Sequence, residues 1–245
     1  MNLKRIIRKL IKQFIQPNIL EIDRYKWTKE KLDEIPRGQS IIDVGAGEQF
    51  FKKYCNGLNY ISQDFGEYKG IGDEGLHTST WDTNNIDLIC DALMIPKEDN
   101  YFDNALCTEV LEHTPKPIEV LKEIHRIIKP KGKLILTVPA VSLVHFAPYY
   151  YQSGLSKYFF EFHSKEIGFE IDEIKTIGGA FDLILSIATC SKKDVESFKN
   201  KFKKLIFIST TYSIILLTAF SRFVLGNNVA NDICPMGVLI VLKKT

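Results

Sequence analysis

Two kinds of hydrophobic pattern alternate along the chain. Short apolar runs predict buried strands, and segments in which apolar residues recur every three to four positions predict helices. The predicted strands lie at 39–43, 59–65, 86–93, 102–110, 133–140, 169–177 and 234–244, and the main helices at 22–35, 50–54, 117–128 and 155–168. Strands that alternate with helices imply an α/β fold with a doubly wound parallel sheet and right-handed crossovers.

A basic amphipathic segment precedes this alternation. Between residues 3 and 15, apolar residues recur at helical spacing while lysines and arginines occupy much of the other face. Such a helix either packs its apolar stripe on the main domain or lies on an anionic membrane surface. Pro17 ends the segment, because proline cannot continue a helix interior. We therefore assign residues 1–20 to an N-terminal helix and residues 21–245 to the main domain.

A second unusual segment lies before the last strand. Residues 205–221 carry no charge, and Lys203, Lys204 and Arg222 flank them. A transmembrane helix needs about 20 mostly apolar residues, whereas this run is short and contains several hydroxyl side chains. We predict a helical, hydrophobic insertion at about 190–230 that packs on the domain. Contact with a membrane surface is the alternative, and a membrane span is the least favoured.

Composition and charge narrow the class of protein. The chain has 245 residues with 32 Lys plus Arg and 30 Asp plus Glu, so its formal net charge is +2 and nothing indicates a nucleic-acid binder. The five cysteines show no metal-ligand spacing, which predicts neither a structural metal site nor a disulfide framework. No signal-peptide pattern is present. We predict a cytoplasmic protein, with peripheral contact at the inner membrane face left open.

The residues that carry chemistry follow the predicted strands. Asp43 ends the first strand, Asp64 the second and Asp91 the third, while Thr108 and Glu109 end the fourth. Ligands of open parallel sheets bind where these strand ends meet. The turn after the first strand contains Gly45 and Gly47, which let the backbone turn sharply and approach a ligand closely. One ligand that touches all these strand ends would explain the set.

A nicotinamide enzyme is the first alternative. Gly45 and Gly47 match two positions of a dinucleotide-binding fingerprint, but Phe50 stands where a small residue should allow close helix packing. Asp43 would also bring negative charge towards a pyrophosphate that requires hydrogen-bond donors. A ligand with a cationic amine suits Asp43 better, so the nicotinamide interpretation is disfavoured.

Several motifs together resemble a known family. IIDVGAGEQF, the acid in SQDF, CDALMIP and the block YFDNALCTEVLEHTPKPIEVLKEIHRIIKPKGKLILTVPA are similar to class I S-adenosylmethionine-dependent methyltransferases of type 11, in particular surface-polysaccharide or natural-product members. The similarity spans about residues 39–185. It implies a Rossmann-like, seven-stranded, mostly parallel sheet with an antiparallel last strand and helices on both faces. It also implies S-adenosylmethionine as donor, S-adenosylhomocysteine as product and no metal.

The resemblance implies a role for each motif position in holding the donor. The methionine portion would lie against Asp43, Gly45, Ala46 and Gly47, the ribose against Asp64, the adenine against Phe65, Asp91, Ala92 and Leu93, and the sulfonium near Thr108 and Glu109. Glu48 departs from the pattern, since many members carry a glycine or another small residue there.

Acceptor-side residues follow the fifth strand. His145 is our first candidate for a general base, ahead of His113 and Glu109, because histidine titrates in the useful pH range. The aromatic residues nearby either stack on the acceptor or pack as a lid; they are Phe146, Tyr149, Tyr150 and Tyr151. The resemblance favours O-methylation of a sugar or a glycan- or lipid-linked intermediate. A small aromatic, quinone-like or lipid acceptor is the alternative, and a noncatalytic cofactor-binding scaffold is the alternative of another class.

Overall fold

A computed structural model describes residues 19–190, 199–226 and 233–245. The predicted basic helix at 3–15 lies outside these described residues. The described residues divide into two compact units, one within the bounds Met1–Asp23 and Ile177–Met236 and the other within Arg24–Thr176 and Gly237–Thr245.

The second unit is built on a seven-stranded sheet. In chain order the strands are β1 (Ser40–Val44), β2 (Asn59–Asp64), β3 (Leu88–Ile89), β4 (Phe102–Thr108), β5 (Ile128–Pro139), β6 (Phe169–Ile177) and β7 (Gly237–Lys244). Their order across the sheet is β3-β2-β1-β4-β5-β7-β6. The first five strands pair in parallel, and β7 runs antiparallel to β5. This confirms the predicted Rossmann-like sheet with its antiparallel last strand.

The helices follow from apolar periodicity and local capping. They are α1 (Ile19–Asp33), α2 (Pro117–Ile127), α3 (Lys157–Ile167), α4 (Ala180–Cys190) and α5 (Lys201–Leu225). Proline occupies the first turn of α2, where its missing N–H is tolerated, and residues 120, 121, 124 and 127 form a buried stripe. Helix α3 ends at Gly168, whose φ of +104° suits glycine. The buried stripe of α2 forms part of the hydrophobic core beside the sheet.

Three predicted elements differ from the structure. The strand predicted at 86–93 is only β3, because the chain turns at Asp91 and the Asp91 carboxylate caps that turn. The helix predicted at 50–54 is a single 3₁₀ turn at Lys52–Tyr54, which follows a residue with positive φ at Gln49. Strand β5 begins at Ile128 rather than at 133, and the pairing of β4 with β5 shifts register there.

The first unit contains the two apolar helices α4 and α5. Leu185, Ala188 and Ile215 pack together as its described core. The Arg222 guanidinium of α5 lies 3.1 Å from the Asp182 carboxylate of α4, and both side chains are buried. Within the described residues, α5 is the helix whose length and composition would allow a membrane crossing.

Candidate active site

A cleft of about 500 Å³ opens at the carboxyl ends of β1, β2, β3 and β4. This volume lies within the range of about 300–1,000 Å³ that small-molecule sites occupy. The predicted residues that line it are Gly45, Asp64, Phe65, Asp91, Ala92, Leu93, Glu109, His113, Phe146, Tyr149 and Tyr151. The remaining predicted residues do not line the cleft; they are Asp43, Ala46, Gly47, Thr108, His145 and Tyr150.

The glycine turn after β1 is packed against side chains that shape the cleft. Gly45 and Gly47 have positive φ values of +68° and +51°, so a side chain at either position would be strained. A Cβ at Gly45 would also clash with Val110, and one at Gly47 would clash with the Trp81 ring. The turn therefore needs both glycines for its backbone shape and for close packing.

Asp64 and Gln63 hold the ends of three strands together. The Gly47 N–H donates to Asp64 Oδ2 over 2.9 Å, and the Gly66 N–H donates to Asp64 Oδ1 over 2.8 Å. Gln63 accepts from the Gly45 N–H over 3.2 Å and donates to the Cys90 carbonyl over 2.6 Å. Sequence reasoning missed Gln63, whose position next to Asp64 at the end of a strand was the available signal. Asp64 thus fixes the turn with the same carboxylate that is predicted to contact a ribose.

Asp43 lies buried beneath the glycine turn. It is 2% exposed, and the Tyr60 hydroxyl donates to its Oδ2 over 2.6 Å. Burial raises the pKa of Asp43 to about 7, against the opposing effect of the Tyr60 hydrogen bond, and the nearby Asp64 charge adds to the rise. A cation placed beside Asp43 would relieve this electrostatic strain.

Two further acids on the cleft side have different surroundings. The exposed Asp91 carboxylate accepts only a local hydrogen bond in the described structure, from the Leu93 N–H over 2.9 Å. The exposed Glu48 carboxylate accepts from the Asp82 N–H over 3.1 Å, so it caps the neighbouring loop. Asp91 therefore keeps acceptor capacity directed to the cleft, whereas the unusual Glu48 has a structural partner.

Glu109 is paired with a residue that the sequence pattern did not reveal. Its backbone has a φ of +54°, and its Oε2 lies 2.5 Å from Arg24 Nη1 on α1. Its Oε1 accepts from the Thr137 hydroxyl over 3.0 Å. These two contacts hold the Glu109 carboxylate in place, which favours a positioning role over that of a general base.

The two candidate histidines lie beside each other. The His113 and His145 ring centroids are 4.6 Å apart. His113 Nδ1 lies 2.5 Å from the Tyr149 carbonyl, and His145 Nδ1 lies 2.8 Å from the Leu143 carbonyl. Burial lowers the pKa of His113 to about 4, although its hydrogen bond to Tyr149 acts in the opposite direction. His113 is therefore neutral at pH 7.

Aromatic side chains form a wall along one side of the cleft, and His113 lines the same cleft. Phe146 stacks on Tyr68 with centroids 4.3 Å apart and meets the Trp81 ring edge-on at 5.1 Å. Tyr149 contacts Phe65 edge-on at 4.9 Å. The Tyr150 hydroxyl donates to the Ser142 carbonyl over 2.9 Å, which ties Tyr150 to its own loop.

The wall combines predicted and unpredicted residues. Tyr68 and Trp81 come from the loop before β3, where the sequence has no periodic pattern, and sequence reasoning missed both. Glu67 in the same loop accepts from the Tyr149 hydroxyl over 3.0 Å. The loops after β2 and β5 therefore meet over the cleft and form one wall.

Known proteins resemble this chain in the segment that forms the cleft. A family model described as a methyltransferase domain matches residues 42–136, which include the glycine turn, Asp64, Asp91 and Glu109. The demethylmenaquinone methyltransferase of Staphylococcus saprophyticus is 30% identical over 127 residues, covering 48% of this chain and 53% of that protein. The chain spans about half the length, or less, of the curated relatives it matches.

Solved structures share the fold at low identity. The S-adenosylmethionine-dependent methyltransferase from Archaeoglobus fulgidus superposes with a TM-score of 0.52 at 17% identity, over 89% of this chain and 94% of that one. The cyclase SpnF gives 0.53 at 16% identity, over 89% and 79%. A cyclase with this fold illustrates why activity must be argued from the site.

Residues 42–136 are therefore similar to a methyltransferase domain. The matched segment and the sheet order together confirm the resemblance that the sequence motifs predicted. The surface-polysaccharide or natural-product type stays a prediction.

The buried Asp43 generates a prediction about stability and pH. Its folded-state pKa of about 7 exceeds the ordinary value of 3.8, so the folded protein holds a proton that the unfolded chain releases. Stability should therefore fall as pH rises from 4 to 8, by up to about 4 kcal/mol at 1.36 kcal/mol per pKa unit. Asp43→Asn should remove this component, which urea unfolding across that pH range measures. The exposed Asp99→Asn is the matched control, and an unchanged pH slope in Asp43→Asn would contradict the assignment.

Proposed function

We propose that this protein transfers the methyl group of S-adenosylmethionine to a hydroxyl of a ring-shaped acceptor, in the first instance a sugar or a glycan- or lipid-linked intermediate. The observation that carries the methyl-transfer proposal is the convergence of the glycine turn, Asp64, Asp91 and Glu109 on one cleft inside the segment that matches the methyltransferase domain.

The residues at the strand ends fit this donor chemically. The donor carries an ammonium and a sulfonium, and the acids at these strand ends supply negative charge for both. Asp43 lies under the glycine turn with a raised pKa, so an ammonium nearby would favour its charged form. Asp91 offers a free acceptor position for the adenine amino group, and the half-exposed Phe65 offers a ring face for the adenine. Asp64 has lone pairs beyond those used by Gly47 and Gly66.

Methyl transfer requires alignment more than covalent chemistry by the protein. The bound donor supplies an electrophilic methyl group on its sulfonium, and the acceptor oxygen supplies the electron pair for an in-line displacement. The products are the methyl ether, the neutral thioether S-adenosylhomocysteine and one proton from the hydroxyl. The chain contributes a fixed donor cradle and an acceptor wall, and such positioning alone can account for much of the rate enhancement.

The acceptor side of the cleft is aromatic and carries hydrogen-bonding groups. Tyr149, Tyr151 and Phe146 line it and suit the flat, apolar face of a ring, while Glu67 and Glu109 suit its hydroxyl groups. A sugar ring presents both features, which supports the glycan-type acceptor.

A quinol-like acceptor is the second candidate. It is favoured by the relative that is named a demethylmenaquinone methyltransferase and by relatives that are named ubiquinone biosynthesis O-methyltransferases. An aromatic wall would stack on a quinol ring as well as on a sugar. Direct comparison of the two acceptor classes is therefore the decisive experiment.

Donor binding gives the first prediction for this function. Calorimetric titration with S-adenosylhomocysteine should show saturable binding to one site, whereas NADH should show none. Asp91→Ala should weaken S-adenosylhomocysteine binding by roughly 10- to 100-fold, since hydrogen bonds to charged groups contribute about 1.5–3 kcal/mol. Asp91 is exposed, so its replacement leaves the core intact.

The matched control for Asp91→Ala is Asp99→Ala. Asp99 is an equally short exposed acid, and it pairs with Arg126 rather than lining the cleft. Its variant should bind S-adenosylhomocysteine like the unaltered protein. Equal weakening in both variants, or NADH binding in place of S-adenosylhomocysteine, would refute the donor-site assignment.

Acceptor identity gives the second prediction. The protein incubated with methyl-labelled donor should label nucleotide- or lipid-linked sugars and leave demethylated quinols unlabelled, as judged by mass spectrometry of the products. Labelling of quinols alone would replace the sugar by the second candidate. Donor binding without label in either acceptor class would favour a noncatalytic cofactor-binding protein.

A further inference from the structure

Three side chains with metal-binding atoms converge next to Phe146 of the aromatic wall. They are Glu112 and His113, in the 3₁₀ turn after β4, and His145, in the loop after β5. One ligand atom from each lies within 4.8 Å of the other two. We propose that these residues bind one divalent transition-metal ion, such as Zn²⁺, through Glu112 Oε, His113 Nε2 and His145 Nε2.

The buried carboxylate of Glu112 is the first observation that points to a cation. Glu112 is 0% exposed, and neither of its carboxylate oxygens has a hydrogen-bond partner in the described part of the chain. A buried polar group without a partner is costly, and a buried charge is more so. A cation bound at Oε would satisfy the group.

Each of the two histidines has its second ring nitrogen, Nε2, left for a ligand role. A carbonyl oxygen can only accept a hydrogen bond, so Nδ1 of His113 donates to Tyr149 and Nδ1 of His145 donates to Leu143. In a neutral imidazole, Nε2 is then unprotonated and available as a ligand. Backbone carbonyls that hold the second ring nitrogen are a common support of metal-bound histidines.

The distances favour a metal over a shared proton. Glu112 Oε1 and His113 Nε2 are 3.7 Å apart, which is too long for a hydrogen bond. Two ligands bonded tetrahedrally to one Zn²⁺ at about 2.1 Å stand about 3.4 Å apart. The separations in the cluster reach at most 4.8 Å, so the three side chains need to draw closer together on binding. Two histidines and one carboxylate also leave coordination positions open.

The open positions suggest what the ion would do. His113 lines the cleft, so an ion on its Nε2 lies next to the acceptor side. A divalent ion lowers the pKa of a coordinated hydroxyl and so would promote loss of the acceptor proton to solvent before methyl transfer. This second role rests on the proposed function, whereas ion binding itself does not.

Metal binding is tested on the full chain without donor or acceptor. Protein freed of metal by a chelator should take up one Zn²⁺ per chain by calorimetry and elemental analysis. Glu112→Gln and His145→Asn should each weaken uptake by more than about tenfold, the scale at which even supporting residues of metal sites act. His163→Asn is the matched control, because His163 forms an exposed pair with Glu166 at 3.2 Å.

Spectroscopy separates the proposed ligands from the free cysteines. Co²⁺ in the site should give the visible absorption of nitrogen and oxygen ligands without a thiolate charge-transfer band. Three results would overturn the proposal: a thiolate band, a failure to take up one metal ion per chain, or equal uptake by all variants. Thermal unfolding should first show that each variant is folded. If the protein binds the metal ion but methylates neither acceptor class, the proposed function fails while the metal proposal stands.

The outward side of α5 carries a second and independent inference. The residues at this outer face are more than 40% exposed, and we define the face by Leu205, Ile206, Leu216, Leu217, Phe220 and Val224. The opposite side of the helix is buried through Thr211, Ile215, Thr218, Ala219 and Arg222. Soluble proteins rarely expose a continuous apolar patch of this kind without an interaction partner.

Charge identifies an anionic membrane surface as the partner. Lys199, Lys201, Lys203 and Lys204 precede the outer face, and the sequence from 199 to 226 contains no acidic residue. Apolar faces flanked by lysines are typical of helices that lie in the membrane interface. We infer that α5 docks by its outer face on anionic lipid.

Two features favour lying on the membrane over crossing it. The uncharged stretch Leu205–Ser221 would span about 25 Å as a helix, whereas the hydrocarbon core is about 30 Å thick. Arg222 is ion-paired with Asp182 on the buried side of α5, so a crossing would draw a charged pair towards the hydrocarbon core. Helix α4 is still shorter, with 11 residues.

Vesicle sedimentation tests this surface with the full chain. The protein should bind vesicles that contain phosphatidylglycerol, release with rising salt and not bind pure phosphatidylcholine. Replacing Leu217 and Phe220 together by serine should lower the bound fraction several-fold. The control replaces Tyr158 and Phe162 of α3, which are 67% and 61% exposed. Binding that resists salt and alkaline extraction would indicate a span, and self-association without vesicle binding would indicate a second copy; either would overturn the proposal.

Discussion

The cleft depends on the hydrogen bonds that the Asp64 carboxylate accepts. Parallel pairing of β1 with β2 brings the end of β2 beside the turn that follows β1. There Asp64 accepts one hydrogen bond from Gly47 in that turn and one from Gly66 in its own loop. Gln63 extends the connection to the carbonyl of Cys90 after β3. The end of β2 thus sets the shape of three loops, and each of these loops contributes to the cleft.

Negative charge is concentrated at this edge of the sheet. Asp43, Asp64, Asp91, Glu109 and Glu112 all follow or end the four strands that form the cleft, and Arg24 pairs with Glu109. Burial raises the pKa of Asp43 and of Glu112, so both carboxyls would gain from a nearby cation. The proposed ligands are cations, namely a donor with an ammonium and a sulfonium on one side and a divalent ion on the other. A single electrostatic arrangement therefore underlies both proposals.

The acids at the strand ends were predictable from sequence because each directly follows a recognisable apolar run. The acids at 43, 64 and 91 stand directly after apolar runs, and parallel strands must bring such positions to one edge. Contacts made by distant segments were not predictable. Arg24 reaches Glu109 from a helix whose pattern marks no functional position, and Tyr68 and Trp81 come from a loop without periodicity. Residues of that kind acquire a role only when the loops pack.

The sequence by itself determined the α/β alternation, the glycine turn with its acids and the methyltransferase motifs, because periodicity and turn chemistry act over a few neighbouring residues. Only the tertiary structure decided that β3 is two residues long, that Glu109 is paired with Arg24 and that His145 meets Glu112 and His113. These outcomes depend on how long loops close and on which side chains become buried together. Such distances are set by the packing of the whole sheet, and no local spacing in the chain records them.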